Sequence, residues 1–233
     1  MRVRVRFTKL GRVRWTSHRD VARIWERTLR RAGMPLAYSS GFVPHPLLSF
    51  GLALPTGCES LAEYLDVALS APVDPAELMR AVSVGLPAGV DVNAAAPVEP
   101  GTPSLQEDVT SCTWEVHLPD VALGDLSTAT ARVLGSRVVE VERSRKGRTE
   151  IDDVRPALLV MSPEPAPGGE GSVLRCELAT RPRGVRPAEL GHVLGLPLGR
   201  ARRISQWIER DGSRREPLVA GPAPDAGGME GAA

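Results

Sequence analysis

Over residues 2–7, apolar and basic residues alternate strictly. Val3, Val5 and Phe7 fall on one side of an extended chain, and Arg2, Arg4 and Arg6 on the other. A period of two predicts a half-buried strand with an arginine face. A turn at Leu10 and Gly11 follows, with residues 13–15 expected as further extended chain. The period then changes. Val21, Ile24, Trp25, Thr28 and Leu29 recur at helical spacing, so residues 17–31 read as an amphipathic helix. Thr16 and Ser17 are its expected N-cap, with Asp20 three residues after Ser17. Arg19, Arg23, Arg27, Arg30 and Arg31 form its outer stripe, and Gly33 and Pro35 end it.

Beyond the helix, residues 36–38 read as a short extended piece and 39–46 as a loop. Strands are expected at 48–54 and 63–69, the latter with Leu65, Val67 and Leu69 on its core face. Pro75 opens a helix that buries Leu78, Met79 and Val82, and residues 90–94 close the unit as a strand. The order β-α-β-β-α-β is that of a split βαβ, or ferredoxin-like, unit. A second pass follows. Strand 109–118, helix 120–134, strands from 138 to 161, strand 173–179, helix 187–194 and strand 201–209 give the same order with one strand to spare. The expected fold class is therefore α+β: two tandem ferredoxin-like units with antiparallel sheets and helices on one face. Their bounds are 1–96 and 109–212, with a linker at 97–108 and a disordered tail at 213–233.

Charge sharpens this picture. The net charge of the 233 residues is only +1, but its sign is segregated. Residues 1–31 carry 11 Lys or Arg against Asp20 and Glu26, whereas residues 32–136 carry Arg80 and Arg132 against 12 acids. Residues 175–215 turn basic again, with 10 Arg against four acids. Like charges one helical turn apart repel, so the stripe on the first helix suggests a partner that neutralises it. Guanidinium forks suit phosphate. The expected nucleic-acid footprint is Arg2, Arg4, Arg6, Arg14, Arg19, Arg23, Arg27, Arg30 and Arg31. The arginines of the first strand have a competing fate, pairing with Glu63 and Asp66 across the sheet.

The loop SSGFVPHP is the other unusual stretch. Tyr38, Ser39, Ser40, Gly41, Phe42 and His45 read as a nucleotide pocket, with aromatic stacking surfaces, hydroxyls for phosphate and an imidazole fixed between Pro44 and Pro46. The same loop could instead be a rigid turn with Phe42 tucked inward. His45 and His18 are the candidate acid–base residues, and neither has a partner nameable from sequence. Phosphate-binding, nucleophile-elbow and zinc-protease motifs are all absent. The turn 195–199 before Arg200, Arg202 and Arg203 is a weak phosphate-approach signal. Cys58, Cys112 and Cys176 have no metal-ligand spacing, so no metal or other cofactor is expected. Their odd number, together with a basic N-terminus lacking an apolar core, suggests the cytoplasm.

The chain also resembles a known family. The R-F-x-K opening, the S-H-x-D helix start, the R-R-A-G-x-P helix end, the S-x-G-F-x-P-H-P loop and the E-Y-L-D strand resemble a bacterial family of unknown function described as radical-SAM-linked. The resemblance is specific over residues 1–70 and looser to about 210. Members occur alone or behind a radical S-adenosylmethionine domain. The C-x-x-x-C-x-x-C run of such enzymes is missing here. The resemblance therefore implies an accessory protein: a non-catalytic binder of RNA, transfer or ribosomal, working with a radical SAM or other RNA-processing enzyme. Two alternatives stay open. One is a metal-independent endoribonuclease; the other is a protein-interaction module that docks on a radical SAM enzyme.

Overall fold

The first strand, β1 (Arg2–Lys9), buries Val3, Val5 and Phe7 as its alternation requires. Against them lies α1 (His18–Arg31), which contributes Val21, Trp25 and Leu29, and Phe7 meets Trp25 edge-on with ring centroids 5.0 Å apart. The computed structural model describes residues 1–145 and 148–219. The remaining elements of the first half are β2 (Leu48–Phe50), β3 (Glu59–Ala68), α2 (Pro75–Ser83) and β4 (Val92–Pro97). Leu65, Val67 and Leu69 join the same core, as do Leu78 and Val82 of α2. The strands lie in the order β4-β1-β3-β2, all antiparallel neighbours.

The second half contains β5 (Ser111–Leu118), α4 (Leu123–Gly135), β6 (Glu140–Arg145), β7 (Arg148–Asp153), β8 (Leu158–Pro165), β9 (Ser172–Ala179), α5 (Pro187–Leu194) and β10 (Ala201–Arg210). Its order is β10-β5-β9-β8, the same pattern. Leu126 and Val133 of α4 and Leu190 and Leu194 of α5 pack on Trp114, Val116 and Leu118 of β5. The molecule is thus an α+β structure with a mostly antiparallel sheet.

Several expectations need correction. The two sheets are one. Arg202 and Arg203 of β10 pair in parallel with Glu59 and Ser60 of β3, joining both halves into a nine-stranded sheet. This pairing explains why β3 starts at Glu59 and not at 63. It also fits the early end of β2 at Phe50, since β10 takes the rest of that edge of β3. Residues 13–15 are not extended: Gly11–Trp15 is a 3-10 turn, opened by Gly11 at φ 66°. The spare strand is a hairpin. Among the described residues β6 and β7 pair only with each other, and β8 takes the place of the second strand of the expected unit. Residues 146 and 147, between β6 and β7, lie outside the described residues.

The expected linker is ordered. It contains α3 (Leu105–Asp108), held by a capping box in which Ser104 and Glu107 satisfy each other's backbone N–H. The expected tail starts with β11 (Ser213–Arg215), paired back on β10, and runs on with Pro217 buried. Leu105 and Leu218 together cover Ala62 and Tyr64 on the sheet face that α1 leaves bare. Residues 220–233 of the expected tail lie outside the described residues.

Candidate nucleic-acid interface

On α1, the Ser17 hydroxyl accepts the Asp20 backbone N–H (3.3 Å) and donates to its carboxylate (2.7 Å). That carboxylate, held below its ordinary range chiefly by the Ser17 hydrogen bond, accepts from Arg23 at 3.1 Å. The stripe is therefore neutralised at its start. Arg19, Arg27, Arg30 and Arg31 are exposed and have no carboxylate within 4.0 Å among the described residues. Arg23, Arg27, Arg30 and Arg31 line one shallow, open depression, in which Glu26 is the only acid among the described residues. Arg30 and Arg31 also sit in the last turn, where the helix dipole favours cations.

The arginines of β1 meet the competing fate. Arg4 is only 4% exposed and grips Asp66 with both Nε (2.7 Å) and Nη2 (2.9 Å). Arg6 is 7% exposed; its Nε donates to the Tyr64 hydroxyl at 3.3 Å, and its guanidinium lies 3.6 Å from Glu216. Burial pushes the Tyr64 phenol up to about 12, so it stays neutral and donates to the Leu218 carbonyl. Arg2 is half-buried and donates to the Thr102 carbonyl. Arg4 and Arg6 are thus withdrawn from the footprint, because residues 97–108 and 216–218 cover the face they occupy. Of the two acids named as partners, Asp66 serves and Glu63 does not: Glu63 takes Arg203 at 3.1 Å.

The SSGFVPHP loop is a projection, not a pocket. Tyr38 bridges to Pro46 at its stem, and the Ser39 N–H donates to the His45 carbonyl. The Ser39 hydroxyl lies 3.0 Å from His45 Nδ1 and accepts the His45 backbone N–H at 3.2 Å. Gly41, at φ 136°, supplies a turn that a side chain would strain. Phe42 and Val43 stand in solvent at the tip, with Ser40, Pro44 and His45 exposed and Tyr38 about half exposed. The inward-tucked alternative for Phe42 is therefore excluded as well. Closure by the Ser39–His45 pair leaves no concavity for the tip residues to line.

Neither histidine has an acid to set its proton among the described residues. His45 has the Ser39 hydroxyl, and His18 packs edge-on against Phe50 at 5.2 Å. No group of three His, Cys, Asp or Glu could hold a metal among the described residues. Burial raises the thiols of Cys58, Cys112 (to about 11) and Cys176 (to about 12), which makes them poor nucleophiles. No described helix is long and apolar enough to cross a membrane.

Two clusters escaped the sequence. At the seam between the halves, Arg203 donates to the Leu52 and Ala53 carbonyls and lies 5.0 Å over the Trp114 ring. Lys9 is buried nearby; its ammonium donates to the Thr16 carbonyl at 2.8 Å, and desolvation holds it below its ordinary value. The second cluster gathers Arg14, Arg200 and Arg202 around Glu59. The only hint of it in the sequence was the arginine run after the turn 195–199.

The family model described as an uncharacterized protein conserved in bacteria (DUF2344) matches residues 2–187. No curated protein matches the chain.

Proposed function

Because the chain belongs to that bacterial family, whose description gives no activity, we propose a function from the site itself: a non-catalytic RNA-binding accessory protein. In this reading its two halves are tandem ferredoxin-like units, and a radical SAM or other RNA-processing enzyme acts on the RNA it holds. The observation that carries the reading is the row of arginines on α1, Arg19, Arg27, Arg30 and Arg31, with no carboxylate partner among the described residues, which ends a few residues before the stem of the aromatic loop. Guanidinium forks would take phosphates, and Phe42 with Tyr38 would stack on unpaired bases. A transfer or ribosomal RNA supplies both.

The test is binding of labelled total tRNA over a salt series in EDTA, with a gel readout of RNA integrity. Affinity should be micromolar or better at low salt and fall steeply as salt rises. The double variant Arg27→Glu/Arg30→Glu should weaken it and flatten the salt slope by about two. Absence of binding at low salt would overturn the reading, and cut RNA would replace it with the endoribonuclease. A second reading, docking on a radical SAM enzyme, is favoured by the fully exposed Phe42 and Val43. It expects Phe42→Asp to abolish capture of the enzyme while leaving tRNA affinity within about twofold.

A further inference from the structure

The cluster around Glu59 draws on three distant parts of the chain: the Gly11–Trp15 turn, the start of β3 and the start of β10. Glu59 is buried, and its carboxylate accepts the Gly11 N–H (3.0 Å) and both Nε (3.1 Å) and Nη2 (2.8 Å) of Arg202. Arg14 and Arg200 stand back from it at 3.7 Å, too far for a hydrogen bond; Nη1 of Arg14 donates to the Gly11 carbonyl at 3.4 Å, and the other donors of both guanidiniums have no acceptor among the described residues. The next acid across the sheet, Glu115, registers opposite Arg202 but is engaged by His117 (3.1 Å) and Arg175 (3.6 Å). Three guanidiniums therefore share one carboxylate, a local surplus of about two positive charges. The side chain of Arg200 is 45% exposed, so the surplus faces solvent.

Beside the arginines stands Trp15, 64% exposed although the Arg14 guanidinium lies 5.1 Å from its ring centroid. An indole is rarely left so open unless something covers it. It is also seated. The ring lies over Gly57, where a Cβ would come within 3.0 Å of it, and the Gly57 N–H donates to the Arg14 carbonyl at 2.8 Å. A fixed aromatic face next to surplus guanidiniums fits one ligand chemistry, a phosphate joined to a nucleobase.

We propose that Arg14, Arg200 and Trp15 form a nucleotide-binding site, with the two guanidiniums on the phosphate and the base stacked on the open part of the indole. Arg202 and Glu59 are positioning residues. The buried carboxylate keeps the guanidiniums together while the site is empty but is one charge against three, so it does not satisfy them. The site lies before the N-terminus of α1, about 20 Å from Arg30 and Arg31 by the length of the helix. The proposal does not rest on the RNA footprint there. Its ligand is either a free nucleoside monophosphate or the 5′-phosphorylated end of an RNA strand.

The test is calorimetric titration at low salt with AMP, adenosine and inorganic phosphate, joined by anisotropy of labelled tetra-adenylate with and without a 5′-phosphate. AMP should bind more tightly than adenosine or phosphate alone. Trp15→Ala should weaken AMP by about 5- to 150-fold, the span of one base–aromatic stack, and leave phosphate unchanged. Trp15→Phe should restore most of the loss, and Arg200→Ala should weaken both ligands. Both sites are exposed, so these variants should retain the wild-type thermal midpoint. Binding of AMP alone marks a free nucleotide as the ligand; a gain from the 5′-phosphate on the oligonucleotide marks an RNA end. No binding of either probe, or binding that ignores Trp15 and Arg200, overturns the proposal.

Discussion

Arg4 and Arg27 are the same residue type with opposite roles, and the difference lies in what surrounds each guanidinium. Arg4 sits in a closed pair with Asp66, out of water. Removing one partner of such a pair leaves a buried charge uncompensated, so Arg4→Met should cost about 3–5 kcal/mol. The double variant Arg4→Met/Asp66→Leu should recover most of that. Urea titrations of the three proteins check both outcomes. Arg27, open to solvent, should change stability by less than about 0.5 kcal/mol when replaced by Ala. Glu59 adds a pH dependence. Burial opposes its ionisation, but the Arg202 hydrogen bond, the Gly11 N–H and the charges of Arg202 and Arg200 outweigh that and hold its carboxyl below the ordinary 4.5. A depressed folded value means that the stabilisation is present above the ordinary range and is lost as pH falls through the folded value. Glu59→Gln should therefore be less stable than wild type at pH 7, and the gap should close progressively below about pH 4.5. Urea midpoints measured at several pH values would show it.

Among the elements, those with a long periodic pattern were legible and those defined by distant partners were not. The stripe of α1 placed its face, cap and end correctly, because Ser17, Val21, Trp25 and Gly33 act through neighbours a turn away. The alternation of β1 identified the two faces but not their environments. Nothing local in residues 97–108 or 213–219 says that they fold over Arg4, Arg6 and Tyr64; Leu105 and Leu218 meet on that face although they lie more than a hundred residues apart in the sequence. The loop failed for a similar reason. Its composition is that of a pocket, but the Ser39–His45 hydrogen bonds close it into a hairpin. The short α3 offers a test of the covering role. Ser104→Ala should cost about 1 kcal/mol through loss of the capping box, and Leu105→Ala about 2–5 kcal/mol through the cavity it leaves. In a solvated linker, neither change would register in a thermal melt.

For the whole molecule, β10 decides the architecture. It completes the second half beside β5 and joins the first through β3, so each half borrows order from the other. The seam is polar as well as apolar. Arg203 spans from Glu63 to Trp114, and Gln206 donates to the Ala62 carbonyl at 2.6 Å. Halves coupled in this way should unfold in a single transition, and Arg203→Leu should split it or lower its midpoint, since Glu63 would be left buried without its partner. Differential scanning calorimetry would separate these outcomes from two independent melts in the wild type.

The position of β10 also sets a timetable for the newborn chain. Ribosomes release residues in order, yet the strand at the centre of the sheet is the last long one made. Until residues 201–210 emerge, β5 has a partner on only one side and the start of β3 shows a bare edge. Open edges recruit other chains. A nascent chain of which only residues up to about 195 have emerged should therefore be the most sticky and chaperone-hungry species this protein passes through, and about fifteen more residues, which complete β10, should end that hazard.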